Sequence, residues 1–192
     1  MASTVLVRWG GPAAMLGGVL SIVFAFVGEN SWAHVPLDAA RYAFLVVGIV
    51  GIYLFLRRSE RFGLLGRVGF YVCVFVFALI ALLDLGIIVN EGVEQTYIAL
   101  GPVRGPLLLL GLLLFGAAAV RVGRLPRGGA WVLIAAALTN VLGILAMIIS
   151  GGTLGGWVFL VPTVLFGVGW AWLGYGLWSE GGASAEQPSR VR

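Results

Sequence analysis

Four side chains stand out as groups able to do chemistry inside an otherwise greasy chain: Asp84, Asn140, Glu91 and His34. Asp84 is the one carboxylate set within a long apolar run, where an ionised group costs roughly 2.5–3.5 kcal/mol at a helix centre, so it is a candidate ion or ligand contact. Counted from Arg67 at about 1.5 Å per residue, it lies about 25 Å along its helix, near the far surface rather than the midplane. A helix continuing through Asn90-Glu91-Gly92-Val93-Glu94-Gln95 would set Asp84, Glu91 and Gln95 on one face, a vestibule attractive to cations. The plainer expectation is a solvated rim of carboxylates that balances Arg41 and Arg104.

Asn140, in the middle of an apolar run, is expected to bond across to a neighbouring helix or to meet a ligand. His34 lies between Glu29 and Asp38, which would favour its protonated form and suit it to carrying a proton. The same three residues are the only constellation from which an enzyme acting on lipid could be built. Pro162, read as interior to its helix, frees a backbone carbonyl that could line a gate.

What is missing narrows the chemistry further. All twelve basic residues are arginine, so no Schiff base can form on a lysine of this chain. One cysteine, Cys73, and one histidine give neither an internal disulfide nor a two-histidine metal or haem site. No Gly-x-x-x-x-Gly-Lys, His-Glu-x-x-His, Gly-x-Ser-x-Gly or Cys-x-x-Cys motif occurs. The chain therefore reads as non-enzymatic, without catalytic residues, metal or cofactor.

The elements that carry these residues follow from composition. With 192 residues, 60% hydrophobic and 10% charged, the chain has more apolar surface than a soluble domain of this size can bury, so its partner is membrane lipid. The net charge of +4 forms no basic face, which argues against nucleic acid. Six apolar segments, about 12–28, 39–56, 68–89, 104–120, 130–150 and 154–178, predict an all-α, polytopic bundle of six transmembrane helices. Pro102 and Pro106 would sit at the start of the fourth, and the polar stretch 179–192 would be a mobile tail. The first segment also has the length of a signal-peptide core, with Ser31-Trp32-Ala33 as a small-x-small site, but it is read here as a retained span.

Arginine sorting sets the topology, because short translocated loops exclude it. Arg8, Arg57, Arg58, Arg61, Arg67, Arg121, Arg124, Arg127, Arg190 and Arg192 fall on one side. Only Arg41 and Arg104 fall on the other, among Glu29, Asp38, Asp84, Glu91 and Glu94. Both termini are therefore expected in the cytoplasm. Trp9, Trp131 and Trp178 would mark the inner interface, and Trp32, Tyr42, Tyr97 and Trp157 the outer one.

Arg-x-Gly opens each odd-numbered segment, at Arg8, Arg67 and Arg127, which suggests three tandem helical hairpins related by an axis along the membrane normal. In that alignment Ser21 matches Asn140. Small-residue stripes at Ala135, Thr139 and Gly143, and at Gly167 and Ala171, predict close helix contacts within the bundle or with another subunit.

The run Arg8-Trp9-Gly10-Gly11-Pro12-Ala13-Ala14-Met15-Leu16-Gly17-Gly18, the basic turn before Gly69, and Gly169-Trp170-Ala171-Trp172-Leu173-Gly174-Tyr175-Gly176-Leu177-Trp178 resemble small multi-span proteins of GC-rich bacteria such as actinobacteria and Chloroflexi. The resemblance implies a bacterial inner-membrane location and no particular activity. Two functions are consistent with the sequence. One is an accessory or self-associating membrane subunit, partnered by its own copies or by other membrane proteins. The other is a small channel or transporter with a polar path near Asp84 and Asn140.

Overall fold

The apolar runs fold as six α-helices: α1 (Ala2–Phe24), α2 (His34–Leu56), α3 (Gly63–Val89), α4 (Val93–Val122), α5 (Arg127–Ile149) and α6 (Leu160–Ala185). This computed structural model describes residues 2–27, 31–57, 59–90, 92–151 and 158–185, and no strand occurs among them. Each helix is long and apolar enough to cross a membrane, and the chain is a multi-pass helical membrane protein. Large apolar side chains such as Leu82, Ile98, Leu142 and Ile148 are exposed along the outer faces, where acyl chains rather than water can cover them.

Successive helices pack side by side, and α6 returns against α1, so the six close into a ring. Lipid supplies no hydrophobic force between helices, so close backbone approach at small residues must hold the ring together. The glycines of the three Arg-x-Gly motifs all serve this purpose. A Cβ on Gly10 would stand 2.5 Å from Gly51 Cα of α2, and one on Gly69 would stand 2.5 Å from the backbone nitrogen of Phe115 in α4. One on Gly129 would stand 3.1 Å from the backbone nitrogen of Leu173 in α6. In each hairpin the opening glycine thus seats the odd helix on its even partner.

The second set of small residues closes the ring. Gly18 lies against Gly167 and Ala171, and Gly11 against Gly174, which locks α1 to α6. Gly143 faces Val158 and Phe159, where the chain enters α6. Gly143, Gly167 and Ala171 of the stripes found in the sequence are therefore taken up by contacts within the chain.

Several boundaries differ from expectation. The fourth helix begins at Val93 rather than near 104, so Pro102 and Pro106 lie inside it and free the carbonyls of Ile98 and Pro102. α6 begins at Leu160, which puts Pro162 in its first turn, where a missing N–H costs little, rather than at an interior kink. α6 also runs on through Ser179 to Ala185, so the start of the expected mobile tail is helical; residues 186–192 lie outside the described part. Gly123 ends α4 at φ 65°, a left-handed position that favours glycine, and donates its N–H to Ala119 O.

The middle of the ring is filled. Trp170, fully buried, meets Phe115 at 6.0 Å in a stacked pair and Phe77 at 5.8 Å edge-on. Leu45, Ile49, Leu133 and Leu173, also fully buried, pack the same level and the one toward the arginine-rich end. Aromatic pairing of this geometry adds about 0.5–1.5 kcal/mol per pair beyond burial.

Candidate functional site

The polar residues gather at the end of the ring opposite the basic turns. Asp38 and Arg41 are one helical turn apart on α2, both are buried, and Arg41 Nε donates to Asp38 Oδ1. Arg41 Nη2 also donates to the Tyr42 hydroxyl at 3.3 Å, and the guanidinium lies over the Phe24 ring of α1 at 3.8 Å. From α3, Asp84 faces Asp38, with Arg41 and Arg104 as its neighbouring cations. Arg104, on α4, rests on the Tyr97 ring at 3.4 Å.

Two carboxylates and two guanidiniums are thus brought together by three helices about 10 Å below the start of α2. The set balances in charge, which is the condition under which ionised groups can be buried in a bundle at moderate cost. The balance leaves local gaps, since Asp84 Oδ2 and Arg104 Nη1 are buried without a hydrogen-bond partner.

A cavity of about 240 Å³ opens beside this cluster, inside the ring. α2 contributes Arg41 and Tyr42, α4 contributes Gly105 and Leu108, α5 contributes Asn140, and α6 contributes Thr163. Aliphatic and aromatic side chains line the rest, and neither Asp38 nor Asp84 is among the lining residues. Toward the basic end the buried Phe77, Phe115 and Trp170 close the space. The arrangement can hold a small molecule with one polar end and an apolar body, the usual composition of a ligand pocket.

Each residue singled out in the sequence now has a position. Asp84 is in the cluster, buried at 2% exposure rather than part of a solvated rim. Asn140 lines the cavity and, among the described residues, makes no hydrogen bond across to another helix. His34 is the first residue of α2, half-buried, with its ring 4.6 Å from that of Phe24, away from the cavity lining. Glu91 and Glu29 lie outside the described residues. α3 stops at Val89 with Asn90 extended, and Gln95 belongs to α4, so no single helical face joins Asp84 to Gln95.

Arg41, Arg104, Tyr42, Tyr97 and Thr163 were not singled out as site residues in the sequence, and Asp38 only beside Glu29 and His34. Tyr42 is buried and accepts a hydrogen bond from Arg41, and the Tyr97 ring lies against Arg104. A signal for the arginines was present: Arg41 and Arg104 are the two that break the sorting rule, and Asp38-x-x-Arg41 has helical pairing distance. Among the described residues no three of His, Cys, Asp and Glu converge to hold a metal ion. No family model, curated protein or solved structure matches the chain.

Proposed function

We propose that this chain is a small, non-enzymatic carrier of the bacterial inner membrane, with both termini cytoplasmic, that holds a small solute in the cavity beside the Asp38–Arg41–Asp84–Arg104 cluster. The observation that carries the reading is the coincidence of a charge-balanced buried cluster with an adjoining cavity, at one end of a bundle whose middle is filled by the buried Phe77, Phe115 and Trp170. Four ionisable groups within apolar helices are costly, and a purely structural bundle of this size has no need of them. A site closed on one side by an aromatic plug has the form of a carrier held in one of its two access states.

The competing reading, an accessory or self-associating subunit, rested on surplus packing stripes. Gly167, Ala171 and Gly143 meet neighbours within the chain, which weakens that ground. Arginine sorting supports the orientation, and it puts the cavity on the outer side of the bilayer.

Reconstitution into liposomes tests the reading. Uptake of radiolabelled organic anions, neutral solutes and cations is compared between wild type and an Asp84→Asn, Asn140→Leu double variant. Uptake of one class by wild type that falls to background in the variant supports a carrier. Background uptake of all three classes by both proteins removes it.

A further inference from the structure

We infer that the solute is a monoanionic amphiphile, a single acidic group on a compact apolar body of about ten non-hydrogen atoms, with the acid held by Arg41; this rests on the cavity being the solute site. The size follows from volume. A cavity of about 150 Å³ accommodates benzene, so at the same filling the 240 Å³ found here takes about ten heavy atoms, the size of octanoate or benzoate.

The charge class follows from counting donors and acceptors on the wall. Arg41 uses its Nε on Asp38 and one Nη2 hydrogen on Tyr42, so guanidinium N–H groups remain for a ligand. The Tyr42 hydroxyl accepts from Arg41, which leaves its own proton to donate. Thr163 Oγ1 donates to Phe159 O at 2.7 Å, so its hydrogen is committed. Asn140 adds an amide with no partner among the described residues. Against these donors the lining has no carboxylate, since Asp38 is turned to Arg41 and Asp84 lies outside the lining. A cationic head would meet Arg41 and no anion, and a neutral oxygen would accept fewer and weaker bonds from the guanidinium than a two-oxygen acid. An acidic head answers all of them, and the leucine, proline and phenylalanine walls take the apolar body.

The same chemistry could come from a free organic acid or from the head of an anionic lipid entering the cavity. The experiment separates the two. Protein purified in neutral detergent is dialysed against radiolabelled octanoate, with octan-1-ol and octylamine as competitors. Native mass spectrometry of the same protein shows any phosphatidylglycerol retained. Gly105→Leu is the informative variant, because Gly105 lines the cavity and a Cβ there meets no other helix within 4 Å, and Gly105→Ala is its control, carrying the same strain before Pro106 without filling the site. A charge-balanced Asp38→Asn, Arg41→Gln pair removes the proposed anchor.

The expected result is saturable octanoate binding, weakened at least tenfold by Gly105→Leu and by the paired variant, with octanol and octylamine competing at least tenfold less well. Retained phosphatidylglycerol that octanoate displaces, and that Gly105→Leu lacks, supports the acidic amphiphile and names lipid as its source. Octanoate binding without retained lipid names the free acid. Octanol or octylamine competing as well as octanoate overturns the anionic class while leaving the cavity a solute site. Absence of saturable octanoate binding, with Gly105→Leu unchanged from wild type, overturns the inference, while the liposome uptake decides the carrier reading on its own.

Discussion

At the residue scale, the Asp38–Arg41 pair governs the outer end of the bundle, because each partner makes the burial of the other tolerable. Removing one side of a buried pair leaves an uncompensated charge and typically costs about 3–5 kcal/mol, whereas replacing both with neutral groups can be close to neutral. Arg41→Ala is therefore expected to destabilise the protein by about 3–5 kcal/mol in detergent unfolding titrations, and the Asp38→Asn, Arg41→Gln double variant to recover most of that loss. Equal destabilisation by the single and double variants would show that the pair is not the unit.

Asp84 gives a second test at this scale. An ionised Asp84 would repel a ligand carboxylate held on the cavity side of Arg41. Asp84→Asn is expected to tighten octanoate binding in equilibrium dialysis. Tighter holding with slower release is compatible with the loss of uptake expected of the double variant. Unchanged or weaker binding would mean that Asp84 does not sense the ligand. Asp84 was legible in the sequence as an outlier, but its partners were not, since α2 and α4 bring Asp38, Arg41 and Arg104 to it from positions 20 to 46 residues away.

At the element scale, hydropathy and arginine placement disclosed the helices, while the helix ends depended on physics that a hydropathy pattern does not record. Polar Glu94, Gln95 and Thr96 begin α4 because a helix can project beyond the hydrocarbon, and Pro102 and Pro106 remain inside it because their neighbours accommodate the freed carbonyls. Likewise the small-residue stripes announced close packing, but only the ring order told which helix each one meets. The difference between buried and open glycines makes this testable. A Cβ on Gly10 would press on Gly51 Cα, whereas one on Gly101 meets no other helix within 4 Å. Gly10→Ala is expected to lower the unfolding midpoint by separating α1 from α2. Gly101→Ala is expected to leave the midpoint close to wild type, because the helix-propensity gain of about 0.5–1 kcal/mol is opposed by the contact of its Cβ with the ring of Pro102. A Gly101→Ala as destabilising as Gly10→Ala would mean that another surface packs against that face of α4.

At the scale of the whole molecule, the ring joins two asymmetries: basic turns at one end, and a charge-balanced cluster with its cavity at the other. Arg57, Arg61, Arg67, Arg121, Arg124 and Arg127 all belong to connections at one end, where α2 and α4 finish and α3 and α5 begin. If membrane insertion retains arginine-rich connections in the cytoplasm, the exposed Trp32 just before α2 must face outward, together with the cavity below it. Single-cysteine labelling decides this, and the chain is well suited to it because its native Cys73 is fully buried and can be replaced by alanine. In a Cys73→Ala background, Trp32→Cys is expected to react with a membrane-impermeant maleimide in intact cells. Arg61→Cys, exposed in the turn before α3, is expected to react only after permeabilisation. The reverse pattern would put the cavity on the cytoplasmic side, so that any solute would be taken from within the cell, and the orientation argued from arginine would fall while the ring and its site remained.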